Sequence, residues 1–243
     1  DVWIDVRAQT ADNMGFSKIV FANDITGWLL GTKILFSGLN SITLAGYVYN
    51  TANGGSTWTI IYSDTVTFSF YYPRSYFQDI VFADSLNGFF KSVIGSFATI
   101  NGGFSWFPAQ SSSGNHYAMP NPTLLYAVGY SGIVEKSRDM ASTWQRLTKG
   151  TLNSIGKVRF FDSLRGYISA SKGYGDGSEF LKTVDGGNNW TTATSLFENK
   201  GTITSFYFID SLHGWLSTWW LHQDPYWTYN SGLIFRTNDG GSS

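Results

Sequence analysis

Cysteine is absent from the 243 residues, which excludes disulfides, thiolate metal sites and thiol nucleophiles. Charge is scarce as well: Asp, Glu, Lys and Arg make up 14% of the chain and sum to -1. With no basic stripe to neutralise a phosphate backbone, nucleic acid is not an expected partner. No apolar run approaches the roughly 20 residues of a membrane-spanning helix. The three histidines, His116, His213 and His222, show no metal-ligand spacing. A phosphate-cradling glycine motif is also lacking, so neither metal nor cofactor is expected. No charged-then-apolar leader precedes Asp1, and an opening Asp in place of Met reads as a processed chain, which favours export.

What the chain has in excess is aromatic side chains, 18% of the total, set among Gly, Ser, Thr and Asn. Strands and turns favour that mixture and helices do not. Two signatures recur through it. The first is an apolar residue, a turn rich in Asp, Asn and Ser, then an aromatic: Phe21 to Trp28, Phe82 to Phe89, Met119 to Tyr126, Phe160 to Tyr167 and Phe208 to Trp215. The second places Asn53, Asn101, Asp139, Asp185 and Asp239 in a Gly-Gly-type turn, followed in four copies by Trp58, Trp106, Trp144 and Trp190. A repeat of about 40 to 50 residues built of short strands is the spacing of propeller blades.

Alternation and turn chemistry give four strands per module. Strand A ends at the apolar residue of the first signature. Asp-Ser-Leu-x-Gly turns the chain, the Asp able to cap backbone N–H groups and the Gly tolerating positive φ. Strand B starts on the aromatic, strand C runs into the second signature, and the Trp opens strand D. The Asn or Asp is expected to pin its own turn, and the Trp to pack between neighbouring blades. The fold class is therefore all-β, a propeller of four-stranded antiparallel blades, in one domain over 1–243. The modules span about 17–61, 79–110, 117–148, 157–194 and 204–243, the last joined by 1–8.

Within "SRDMASTW", Ser137, Asp139, Thr143 and Trp144 match Ser-x-Asp-x-x-x-Thr-Trp. That motif resembles the Asp-box of bacterial sialidase-type repeats. The whole module resembles the propellers of photosystem II stability and assembly factors and their secreted bacterial relatives. Such repeats occur in sialidases, xyloglucanases, sortilin-like receptors and non-enzymatic assembly factors, so the resemblance implies a fold and leaves the activity open.

The fifth copy of the second signature, "TNDGGSS", carries no Trp. Trp3 lies 18 residues before Phe21, the separation that also divides Trp190 from Phe208. Two readings follow. Residues 1–8 supply strand D of the last blade and close a five-blade ring, which removes exposed strand edges. Alternatively, the chain is an excised part of a larger ring.

Both signatures belong to the A–B and C–D turns. Irregular length is confined to the opposite end of each blade, in residues 31–46, 60–79, 169–179 and 217–232, and lengthened loops are where binding sites are usually built. Trp219, Trp220, His222, Tyr226, Trp227 and Tyr229 crowd into the last of these, around Asp224-Pro225. Tyr71, Tyr72 and Arg74, with Tyr76 and Phe77 beside them, form a second aromatic group expected on the same face.

Enzyme chemistry finds little footing here. A sialidase site needs three converging arginines, yet Arg138 and Arg165 sit in structural turns. Hydrolysis by paired carboxylates needs two acids across a cleft, and Asp64, Asp79, Asp176 and Asp224 are not paired by the pattern. Asp176 and Glu179 in "GYGDGSE" read as part of a Gly-rich loop in preference to a calcium site. The expected function is a non-enzymatic, exported propeller, secreted, periplasmic or on the bacterial cell surface, that binds another protein. The alternative is a glycan-binding or glycan-cleaving propeller.

Overall fold

The computed structural model describes residues 14–70, 73, 75–147, 150–173, 177–194, 201–223 and 228–241. They form nineteen strands and a single 3-10 turn at Tyr130–Gly132, so helix contributes almost nothing. The first sheet is β1 (Met14–Phe21), β2 (Gly27–Ser37), β3 (Ser41–Thr51) and β4 (Thr59–Ser69). The second is β5 (Phe77–Phe82), β6 (Gly88–Ser92), β7 (Gly95–Thr99) and β8 (Phe107–Ala109), and the third β9 (His116–Asn121), β10 (Leu124–Val128), β11 (Val134–Ser137) and β12 (Gln145–Arg146). The fourth holds β13 (Ser154–Phe160), β14 (Gly166–Ser171), β15 (Ser178–Thr183) and β16 (Thr191–Thr194). The fifth holds β17 (Thr202–Phe208), β18 (Gly214–Gln223) and β19 (Thr228–Thr237). Every sheet is an antiparallel meander in chain order, four-stranded in the first four and three-stranded among the described residues of the fifth.

Two compact units divide the chain, one of residues 1–111 with 139–143, the other of 112–138 with 144–243. The core of the first gathers Trp28, Leu44, Tyr76, Phe77 and Phe90. In the second, one cluster is built around Tyr126, Phe160 and Ile168 and another around Tyr167, Phe180 and Phe208.

Both repeated turns are hydrogen-bonded from within. In the A–B turn an Asx oxygen caps two following N–H groups. Asp84 Oδ1 accepts from Leu86 N at 2.8 Å and Asn87 N at 2.7 Å, and Asn23, Asn121, Asp162 and Asp210 repeat the arrangement. The N–H groups of His213 and Leu212, then the His213 ring, hold the Asp210 carboxyl down to about 2. In the C–D turn a buried hydroxyl does the pinning together with the Asx. Thr51 Oγ1 accepts from Gly55 N at 2.9 Å and donates to Asn53 Oδ1 at 3.0 Å, while Asn53 Oδ1 also accepts from Thr57 N at 2.9 Å. Thr99, Thr183 and Thr237 occupy the same position in their sheets.

The glycines divide differently from expectation. Positive φ belongs to the Gly-Gly pairs of the C–D turns, with Gly54 at 69° and Gly55 at 88° as the first example. The glycine of the first signature is not in that region. It is required because a ring lies on it: a Cβ on Gly27 or Gly166 would come within 2.7 Å of Phe21 or Phe160, and one on Gly214 within 2.5 Å of Phe208.

The third sheet performs the left-handed turn without glycine, placing Met140 at φ 59° and Ala141 at φ 64°. A left-handed L-residue costs roughly 1–2 kcal/mol. Met140→Gly is therefore expected to stabilise the protein by about 0.5–1 kcal/mol, since the greater entropy of the unfolded glycine offsets part of the relief. A shift of the chemical denaturation midpoint to higher denaturant checks it.

Candidate binding surface

The turns bearing the two signatures lie at one end of each sheet, and the B–C and D–A connections lie at the other. At that second end the structure replaces irregular loops with lengthened hairpins. Residues 31–46 were expected to be a long loop, yet β2 and β3 run as two strands of 11 residues, turning at Gly38, whose N–H reaches Ser41 O at 2.9 Å. Residues 60–69 belong to β4. Residues 217–232 are mostly strand, because β18 and β19 stay paired as far as Gln223 and Thr228.

This extension carries the first sheet past its own core. Ile34, Leu35 and Phe36 are each more than half exposed, Phe70 is 81% exposed and Leu39 at the tip 98%. The Thr43 and Thr67 hydroxyls meet across β3 and β4 at 2.9 Å.

In the fifth sheet Trp219 and Trp220 are neighbours on β18, both half-buried. Trp219 pairs with Thr202 on one side and Gly232 on the other. With Ser171, Gly173, Thr202 and Thr204 it lines a cleft of about 320 Å³. The backbone of His222 pairs with that of Tyr229. Tyr226, Trp227, Tyr71, Tyr72, Arg74 and Trp3 lie outside the described residues.

Tyr76 and Phe77 are core, not surface, which corrects their expected place beside the second aromatic group. They are 0% and 3% exposed. Tyr76 seats its ring directly on Gly46, where no side chain would fit, and donates its hydroxyl to Asp64 Oδ2 at 2.8 Å. Burial first, and the bond to Asp64 second, push the Tyr76 hydroxyl far above its ordinary range. Asp79, 4% exposed, forms an ion pair with Lys18. Two of the four candidate acids thus have structural partners, and Asp176 and Asp224 lie outside the described residues. No group of three metal-ligating side chains occurs among the described residues. No helix among them is long and apolar enough to cross a membrane, which says nothing of strands.

A feature that the sequence patterns did not disclose is the seam between successive sheets. The aromatic that opens strand B donates to the C–D turn of the following sheet: Trp28 Nε1 to Gly102 O at 2.9 Å, Tyr126 OH to Gly186 O at 3.2 Å, Tyr167 OH to Gly240 O at 2.7 Å. Against the same aromatic stacks the Phe that ends strand A of that following sheet. Trp28 and Phe82 lie 3.4 Å apart at 5°, Tyr126 and Phe160 3.6 Å at 4°, and Tyr167 and Phe208 4.7 Å at 13°. Lys136, 4% exposed, joins one seam by donating Nζ to Gly186 O at 3.0 Å and sitting 4.9 Å from the centre of the Tyr126 ring. Desolvation pulls its pKa below the ordinary lysine value.

Meandering sheets joined by a repeated seam are the construction of a β-propeller, and the solved structures that this chain resembles are propellers. YCF48 from Cyanidioschyzon merolae superposes with a TM-score of 0.54 at 16% identity, over 85% of this chain and 80% of that one. YCF48 bound to D1 peptide gives 0.53 at 14%, over 98% and 87%. An ancestral GH74 enzyme gives 0.56 at 14%, over 91% of this chain but only 30% of that one. At these identities the likeness is one of fold. No family model matches the sequence, and no curated protein matches it.

Proposed function

We propose that this chain is a non-enzymatic, exported propeller scaffold that binds another protein through the B–C ends of its sheets. The exposed apolar rib of the first sheet, Ile34 to Leu39, carries the reading. An apolar surface of that kind, held on paired strands, is characteristic of a protein contact. One of the similar folds, YCF48, has been solved with a D1 peptide bound. The reading includes closure of the five blades into one ring. Supporting that, Trp215 is 40% exposed and Phe21 45% exposed, although their counterparts Trp28, Tyr126 and Phe208 are buried in seams.

The test is a fluorescence-anisotropy screen of extended apolar peptides, the D1 peptide among them. Micromolar binding is expected, with Phe36→Ser plus Leu39→Asp weakening it by about tenfold or more, ~1.4 kcal/mol. Both side chains stand in solvent, so the melting temperature should hardly move. Binding that survives the double substitution overturns the site. The Trp219 cleft, an indole rimmed by Ser and Thr hydroxyls, favours the alternative of a glycan ligand. Oligosaccharide binding abolished by Trp219→Ala, with no peptide bound, would transfer the function to that reading.

A further inference from the structure

Every four-stranded sheet leaves its fourth strand at one edge, and in the second, third and fourth sheets that edge is blunt. β12 has two residues, β8 three and β16 four. Pro108 also interrupts β8, and Arg146 ends β12. Short strands, proline and charge are the usual devices that keep an edge from pairing with another chain. The first sheet is built differently. β4 runs for 11 residues, Thr59–Ser69, contains no proline and carries a single charge, Asp64. No described strand is bonded to its outer edge.

Two hydrogen bonds show which backbone groups this edge presents. Thr65 N donates to Asp64 Oδ1 at 2.7 Å, so that N–H points away from β3. Ala45 and Thr65 are then a non-hydrogen-bonded pair of the β3–β4 ladder, and so are the pairs two places away, Tyr47 with Ser63 and Thr43 with Thr67. The Thr43 and Thr67 hydroxyls, 2.9 Å apart, fit the closer side-chain spacing of such a pair. Ser63, Thr65 and Thr67 therefore turn their N–H and C=O groups to the outer edge. The side chains divide by the same alternation. Those of Ser63, Thr65 and Thr67 stand exposed on one face, while Tyr62, Val66 and Phe68 are half-buried against the core of the first unit on the other.

We infer that the outer edge of β4 is a strand-addition site, where an extended segment of a partner protein pairs antiparallel with β4 as a fifth strand of the first sheet. The inference rests on the protein-binding reading proposed above and names the way in which the partner is held. In such a mode main-chain bonds supply affinity and alternate side chains supply selectivity. Opposite Tyr62, Val66 and Phe68 the incoming strand is apolar, and opposite Ser63, Thr65 and Thr67 it carries Thr, Ser or another β-branched residue. Opposite Asp64 it carries Lys or Arg. On the outer side Asp64 belongs to a non-hydrogen-bonded pair, where facing side chains come closest, and a carboxylate there favours a cation across the strands. Tyr76 OH holds that carboxylate in place at 2.8 Å. As the strand adds, the Thr65 N–H passes from Asp64 Oδ1 to an incoming carbonyl, which releases the oxygen to the cation. Asp64 also selects against a second copy of this chain. It has five residues of β4 on either side, so two-fold pairing of β4 with itself over its full length would set two carboxylates opposite each other.

The probe is a dye-labelled, end-capped nonapeptide, Val-Thr-Val-Thr-Lys-Thr-Val-Thr-Val, whose Lys faces Asp64 when its first Val faces Phe68. Anisotropy titration should give saturable binding. N-Methylation of the Thr on each side of Lys removes the donors to the Thr65 and Ser63 carbonyls and should weaken binding by about tenfold or more. N-Methylation of the Val beyond each of those Thr removes N–H groups that face away from β4, and should change binding by less than about threefold. Replacing Lys by Glu should weaken binding by about tenfold. In Asp64→Asn the Lys and Glu peptides should bind within about twofold of each other, because the charge that separates them is gone. Asn keeps an acceptor for the Tyr76 hydroxyl, and circular dichroism should show the fold retained.

Equal weakening by the two methylation patterns would mean that side chains alone hold the peptide, and would overturn strand addition. Absence of binding, or equal affinity of the native chain for the Lys and Glu peptides, would overturn it too. A dimer seen by light scattering in peptide-free solution and dispersed by the peptide would give the edge to a second copy and overturn the inference as stated. Phe36→Ser plus Leu39→Asp separates the inference from the reading on which it rests. If that variant weakens binding while the position of the methyl groups makes no difference, the rib holds the partner and β4 does not. If the methylation pattern holds and the double substitution changes nothing, the partner lies along β4 and the rib is not its contact.

Discussion

Trp28→Ala should cost the first unit about 4 kcal/mol of stability, the largest single effect expected in the protein. The indole is 0% exposed and carries two interactions that truncation removes together. Its face is stacked on Phe82 at 3.4 Å, and its Nε1–H donates to Gly102 O at 2.9 Å. Loss of the stack and of some 150–250 Å² of burial sets the magnitude, and the cavity left behind adds to it because Phe82 is itself held by Trp106, 6.1 Å away. Trp28→Phe separates the contributions. It keeps most of the stack and abandons only the hydrogen bond, leaving Gly102 O without that donor, for about 1–2 kcal/mol. Guanidinium titration followed by fluorescence checks both. If the alanine variant lost less than about 1 kcal/mol, the seam would not be a principal source of cohesion between successive sheets.

The five-module order was legible in the sequence because its signals are local. An Asx that caps the amides two and three residues ahead, and a Thr, Asn, Gly, Gly run with two left-handed positions, dictate a turn wherever they occur. The strands between them follow by alternation. The roles that depended on a neighbouring sheet were not legible. Gly166 reads as a turn glycine, yet its constraint comes from Phe160 lying over it. Tyr76 and Phe77, next to an aromatic run, read as surface, yet Tyr76 closes on Gly46, thirty positions earlier in the chain, and is core. Blade length was misread for a related reason. Ile34, Leu35 and Phe36 break the strict alternation just where β2 shifts register against β3, so an extended hairpin resembles a loop. Turn chemistry fixes which end of the sheets carries the two signatures and so which end carries the B–C connections, but the exposed apolar rib at that second end emerges only from the strand extension.

The same division between local and transmitted constraint governs the second large effect. Gly166→Ala adds one methyl group to β14, where alanine is at least as compatible with strand backbone as glycine, and on local grounds it should be neutral or slightly stabilising. The seam reverses the sign. The new Cβ would lie 2.7 Å from the Phe160 ring, a distance that requires the ring to move. Phe160 is 8% exposed, stacked 3.6 Å from Tyr126 on its far side and met edge-on by Trp190 at 6.1 Å. Tyr126 in turn is tied by its hydroxyl to Ser163 O at 3.0 Å and Gly186 O at 3.2 Å, so it cannot retreat without breaking those bonds. Overpacking of a well-filled core typically costs 1–3 kcal/mol, and a ring confined on three sides belongs at the upper end, about 3 kcal/mol. Gly166→Ala combined with Phe160→Leu supplies the discriminating control. The smaller side chain vacates the space that the methyl group needs, so the two changes together should cost less than the sum of each alone by about 1 kcal/mol or more, a coupling measurable in a double-mutant cycle. Strict additivity would mean that the glycine is selected by its backbone and not by the ring, and the steric account of the first signature would fall with it.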